Sequence, residues 1–190
     1  MSTDLGAIMK VADRPPVVMV EGHGSWLEDE EGKTYLDFVQ GWAVNCLGHC
    51  PSVIVEAIAF QASRLINCSP AYYNAEMAHL ARLLADASGL GQVFFCNSGA
   101  EANEGAIKLA RKWGARHRRG AFHIITMDHG FHGRTLATMA ASGKPAWDAL
   151  FEPKVSGFTK VPLGDLDAVK RAITPLTVPV MLEPSQGRDG

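Results

Sequence analysis

Residues 97–104 read N-S-G-A-E-A-N-E, and the reading of this stretch decides the fold. It follows the apolar run Val93-Phe94-Phe95-Cys96 and opens a helical pattern that reaches Arg118. A strand, a glycine turn and a helix start in that order aim free backbone N–H groups and the positive end of a helix dipole at one point. That is what a phosphate needs. Ser98 and Glu101 also have the spacing of a capping box, which by itself only starts a helix.

Working outward, strand and helix patterns alternate on the C-terminal side. Strands are expected at 92–96, 122–127 and 178–182, with helices at 97–118, 134–142 and 166–173, the last capped by Asp165. Ala102, Ala106, Leu109, Ala110 and Trp113 form the apolar stripe of the long helix, and Arg111, Lys112, Arg116, Arg118 and Arg119 crowd its C-terminal end. Apolar strands separated by helices predict an α/β fold with a mostly parallel sheet covered on both faces. Upstream the pattern differs. Short strands at 17–20, 25–27 and 34–38, joined by glycine turns, predict a small antiparallel meander. A loop at 41–48 leads to helices starting at Pro51 and at Asn74, a side chain suited to capping. We divide the chain at residue 50: an N-terminal arm and small-domain segment at 1–50, and part of a larger domain at 51–190.

In open parallel sheets, ligands bind beyond the carboxyl ends of the strands. Three clusters fall there: Asn97-Ser98-Gly99-Ala100, Asp128-His129-Gly130-Phe131-His132-Gly133-Arg134, and Glu183-Pro184-Ser185-Gln186-Gly187. They offer a phosphate cradle, an aromatic ring with a guanidinium, and a carboxylate with an amide. This set suits a phosphorylated aromatic cofactor and an acidic substrate. His129 and His132 have no third ligand at useful spacing, so no metal is expected. A net charge of −2 over 190 residues gives no footprint for nucleic acid or anionic membrane. No apolar run is long enough to span a bilayer, and residues 1–5 lack the pattern of a signal peptide. Cys46, Cys50, Cys68 and Cys96 lack metal-ligand spacing and read as reduced, mostly buried thiols of a cytoplasmic protein.

The motifs resemble those of class III pyridoxal-phosphate-dependent aminotransferases, most of all the acetylornithine branch. They are Y-L-D-F (35–38), A-V-N-C-L-G-H (43–49), A-Y-Y-N (71–74), N-S-G-A-E-A-N-E-G-A-I-K-L-A-R (97–111), H-G-F-H-G-R-T (129–135) and E-P-S-Q-G (183–187), in the family's order. The resemblance implies a fold-type I pyridoxal-phosphate-dependent transferase, truncated to its N-terminal half. It implies that Ser98, Gly99 and Ala100 hold the 5′-phosphate of pyridoxal 5′-phosphate, that Phe131 stacks on the ring, and that His132 and Glu183 lie beside the cofactor. Arg134 would pair with a substrate α-carboxylate, a task for a planar guanidinium, and Tyr73 would line the substrate pocket. The implied reaction moves an amino group from N-acetylornithine, or a similar ω-amino acid, to 2-oxoglutarate in arginine biosynthesis, within a homodimer. A non-catalytic, cofactor-binding or dimerising remnant is the alternative.

The chain departs from the family pattern in three places. His49-Cys50-Pro51 is one residue shorter than the usual H-C-H-P, and Arg188 replaces a glutamate that normally pairs with a later arginine. The Schiff-base Lys and the Asp that contacts the pyridine nitrogen are expected beyond Gly190, because Lys108, Lys112 and Lys144 lie in no matching context. The 190 residues alone are therefore expected to be inactive, with no catalytic base, and poorly soluble through uncovered apolar sheet surface.

Overall fold

The computed structural model describes residues 3–187. Arg188 lies outside the described residues. The chain divides into two compact units, one up to Leu80 and one from Ala81 onward.

The first unit contains the expected meander, β1 (Met19–His23), β2 (Trp26–Asp29) and β3 (Thr34–Leu36), paired antiparallel in that order. Its second turn is organised by a single carboxylate. Asp29 Oδ1 accepts the Glu31 and Lys33 N–H groups at 2.9 and 3.0 Å, and Oδ2 accepts the Tyr35 hydroxyl at 2.7 Å. Asp37, just after β3, accepts Val39 N–H and the His49 ring, the latter at 2.8 Å. Part of the expected 41–48 loop is instead a left-handed helical turn, α1 (Gln40–Ala43), with positive φ at all four residues. Pro51 then precedes α2 (Ser52–Ala62), and Asn74 starts α3 (Ala75–Ser88) by accepting Met77 N–H at 2.7 Å. Helix α2 is apolar nearly all round and leaves Val53, Ile58 and Phe60 exposed.

The second unit is built on a parallel sheet of β4 (His123–Met127), β5 (Phe158–Val161) and β6 (Thr177–Val180), in the order β5-β4-β6. Side chains alternate across the central strand. Ile124 packs against Ile107 of α4 (Gly99–His117) and Ala141 of α5 (Leu136–Ala141), whereas Ile125 and Met127 face Ala168, Val169 and Ala172 of α6 (Leu166–Ala172). Both faces of β4 are therefore covered, as the continuous apolar reading predicts.

Three expectations are corrected. Residues 92–96 form no strand. They have no ladder partner among the described residues, and Phe94 and Phe95 are exposed. The second correction is β5, which lies in a stretch read as irregular. Lys160 interrupts its apolar pattern, but pairing along β4 from Ile124↔Phe158 to Met127↔Val161 makes it a strand. The third concerns the cysteines. They are free, as read, but Cys46, Cys50 and Cys96 are exposed and Cys68 is half-buried. Their apolar neighbours, from which burial was inferred, are themselves on the surface.

Candidate functional site

The long helix α4 begins as its sequence dictates. Ser98 adopts an extended backbone, its Oγ accepts Glu101 N–H at 3.2 Å, and its carbonyl accepts Ala102 N–H. Glu101 reaches back to Asn97 N–H at 2.6 Å, completing the reciprocal cap one residue early. The Asn97 side chain and backbone, donating to Glu101, hold its carboxyl below the usual range. With Glu101 and Ala102 engaged, Gly99 and Ala100 stand ahead of the first intrahelical bond. The space beside Gly99 is open: a Cβ built there meets nothing within 4 Å. Two outward amides next to vacant space, at the positive end of a five-turn helix, leave room and donors for an anion.

The run that follows β4 is laid against the first turns of this helix. Gly133 has φ +131°, and a Cβ on it would lie 2.8 Å from Ala100 Cβ and 2.7 Å from Thr138 Oγ1, so only glycine fits. Asn103 Nδ2 donates to the His132 carbonyl at 2.7 Å, and Thr135 Oγ1 donates to Glu104 Oε1 at 2.5 Å. Thr135 and Thr138 form a capping box that starts α5, two residues later than the sequence suggests. Arg134 therefore sits before that helix, exposed, in the bend that leads to its cap.

The third cluster joins from the end of β6. Glu183 Oε2 accepts Phe131 N–H at 2.7 Å, and Gln186 Nε2 donates to Asp128 O at 2.9 Å. Phe131 is half-buried, and its ring meets Trp147 edge-on at 5.9 Å between centroids. His132 is only 3% exposed. Its backbone N–H donates to Ser142 Oγ at 2.9 Å, while its Nε2 is buried without a partner among the described residues. Burial lowers the His132 pKa below the ordinary histidine value, and the nearby Glu183 carboxylate opposes that shift.

The structure brings together Ser98, Gly99, Ala100, Phe131, His132, Arg134 and Glu183 within the second unit. Tyr73 belongs to the first unit, in the turn before α3, with its side chain almost fully exposed. Four participants escape the sequence reading: Asn103, Glu104, Ser142 and Trp147. Asn103 and Glu104 stand inside the quoted motif, three and four residues after Ala100, a spacing that places them on one helix face. No local signal marks Ser142 or Trp147.

Comparisons with known proteins show the family. The model of the aminotransferase class-III family matches residues 8–190. Acetylornithine aminotransferase 2 of Bordetella bronchiseptica is 61% identical over 186 residues, covering 98% of this chain and 47% of its own length. The chain thus spans about half the length of the curated relatives it matches. Among solved structures, N-acetylornithine aminotransferase of Stenotrophomonas maltophilia superposes with a TM-score of 0.74 at 36% identity, covering 90% of this chain and 42% of that one. The ornithine aminotransferase of Toxoplasma gondii, described with partial occupancy of PLP at its active site, superposes at 0.87 with 29% identity, covering 95% and 43%. With the family's model matched over residues 8–190 of this chain and a relative 61% identical over 98% of it, the chain belongs to the class-III aminotransferases.

Proposed function

We propose that this chain supplies the cofactor cradle and the substrate-carboxylate site of a pyridoxal-phosphate-dependent aminotransferase acting on N-acetylornithine, or a similar ω-amino acid, with 2-oxoglutarate in arginine biosynthesis. The observation that carries the proposal is the seating of the Phe131–Arg134 run against the same helix whose open N-terminus faces vacant space at Gly99.

The residues present fit the cofactor. Gly99 and Ala100 N–H would hold its phosphate with Ser98 beside them, and Phe131 offers a flat apolar face for its ring. When bound, pyridoxal phosphate supplies the electron sink for chemistry at the amino-bearing carbon. The chain's own residues bind and orient. Glu183 fixes the Phe131 backbone through its N–H, and the buried His132 stands next to it in the chain. Arg134 grips the α-carboxylate of the donor through two parallel hydrogen bonds, which lysine cannot reproduce. Tyr73 is assigned to the substrate on the family resemblance. No lysine of these 190 residues is assigned the covalent role on this reading. The working protein is a homodimer, a state supported by the apolar side chains left exposed on α2, and the unpaired cysteines suit a cytoplasmic setting.

The substrate assignment is tested with Arg134→Lys in the full-length protein that carries this chain. A charge-assisted hydrogen bond is worth about 1.5–3 kcal/mol, so kcat/KM for N-acetylornithine should fall roughly ten- to a hundredfold, at ~1.4 kcal/mol per decade. Simple ω-amines without an α-carboxylate should lose much less. Equal losses on both donors would remove Arg134 from the substrate site.

A further inference from the structure

We propose that Asn103 and Glu104 are positioning residues that set the donor specificity of this site by fixing Arg134 relative to the phosphate cradle. The inference rests on the reading of Arg134 given above and goes beyond it. Arg134 itself is exposed and lies in neither a helix nor a strand. A guanidinium on free backbone loses the geometric advantage of its fork, because the ordering must then be supplied during binding. Here the run is tethered on both sides of Arg134, through a backbone carbonyl before it and a side-chain hydroxyl after it. Two residues before it, the His132 carbonyl accepts Asn103 Nδ2 at 2.7 Å. One residue after it, Thr135 Oγ1 donates to Glu104 Oε1.

Both tethers originate on α4, one turn after the Gly99 and Ala100 amides. Gly133, immediately before Arg134, is pressed against Ala100 itself, with no room for a Cβ. The anion cradle and the arginine are therefore referenced to the same turn and a half of helix. Helix geometry fixes that turn at 1.5 Å of rise per residue. The hydrogen bonds carry information that shape alone does not, since Asn103 contributes a donor and Glu104 an acceptor to specific backbone and hydroxyl partners. Neither side chain needs to touch substrate or cofactor.

A double-mutant cycle in the full-length holoenzyme tests this. Asn103→Leu removes the donor at similar volume, and Glu104→Met removes the acceptor. Either should raise KM for N-acetylornithine about tenfold, the loss of one well-placed hydrogen bond. The KM for an ω-amine without an α-carboxylate should change less than about twofold to threefold, within that same arithmetic. Glu104→Gln, which keeps the acceptor, should restore the parent value. On an Arg134→Lys background the Asn103→Leu effect should vanish, because residues acting through one another are not additive. As a readout independent of turnover, amide hydrogen exchange across residues 131–135 of the apoprotein should quicken in Asn103→Leu. Equal losses on both donors, or additive effects with Arg134→Lys, overturn the inference. If Arg134→Lys alone fails to discriminate between donors, the reading of Arg134 fails first, and that outcome is visible before the cycle is closed. Should Asn103→Leu not fold, Glu104→Met and Glu104→Gln carry the same comparison.

Discussion

Gly99 opens helix α4 with no side chain, beside open space, where two amides stand ahead of the first intrahelical bond. A Cβ there meets no other protein atom within 4 Å, so Gly99→Val should leave circular dichroism and thermal stability near the parent values. In the full-length protein it should nevertheless raise the dissociation constant of pyridoxal phosphate at least about tenfold, since losing an amide–phosphate bond costs ~1.5–3 kcal/mol. Fluorescence titration checks this, and unchanged affinity would leave Ser98–Glu101 as a capping device alone. Ser98, Gly99, Phe131 and Glu183 were all legible as residues, because each belongs to a short motif with a mechanical reason. The 2.7 Å bond from Phe131 N–H to Glu183 was not legible. It joins residues 52 positions apart, and only the adjacency of β4 and β6 in the sheet creates it. The burial of His132 is also a product of packing. The fold places its ring inside the protein and Ser142 against its backbone.

At the scale of elements, helices were easier to read than strands. Helix α4 announces its start through Ser98 and Glu101 and its end through a basic cluster, so local chemistry suffices. A strand exists only through its partner. The four residues of β5, carrying Lys160, look unremarkable in isolation and are defined by the parallel register with β4. Conversely, residues 92–96 have an apolar pattern and no ladder partner among the described residues. The meander of the first unit depends on acidic clamps, and one of them makes a pH prediction. The Asp37 carboxyl is held below its ordinary 3.8, chiefly by the bond from the His49 ring and then by Gln40 N–H. A folded-state value below the unfolded one means stability that is complete above the unfolded pKa and is lost as pH falls through the folded one. Asp37→Asn should therefore be less stable than the parent at pH 7. The gap should close in acid, below the ordinary carboxyl range, when measured by urea unfolding. A gap that stays constant down to about pH 2 would show that charge on Asp37 is not what the clamp uses.

At the scale of the whole molecule, the described surface is rich in apolar side chains. Phe38, Ile66 and Tyr73 are each more than four-fifths exposed, and α2 presents its apolar residues openly. Exposed apolar area of this extent marks surfaces that are covered in the working protein. The 190 residues purified alone should therefore self-associate in a concentration-dependent way, visible by sedimentation velocity. The motifs read for phosphate and carboxylate are local, while strand pairing and covered faces depend on residues distant in sequence. Whether this chain forms half of a working aminotransferase is decided most directly by one assay: transfer of the amino group from N-acetylornithine to 2-oxoglutarate, with added pyridoxal phosphate, by the full-length protein and by the 190 residues alone. The full-length protein should turn over at an ordinary enzymatic rate of ~1–1000 per second, and the isolated chain should show none. Turnover by the isolated chain, or none by the full-length protein with this donor or related ω-amino acids, would contradict the account.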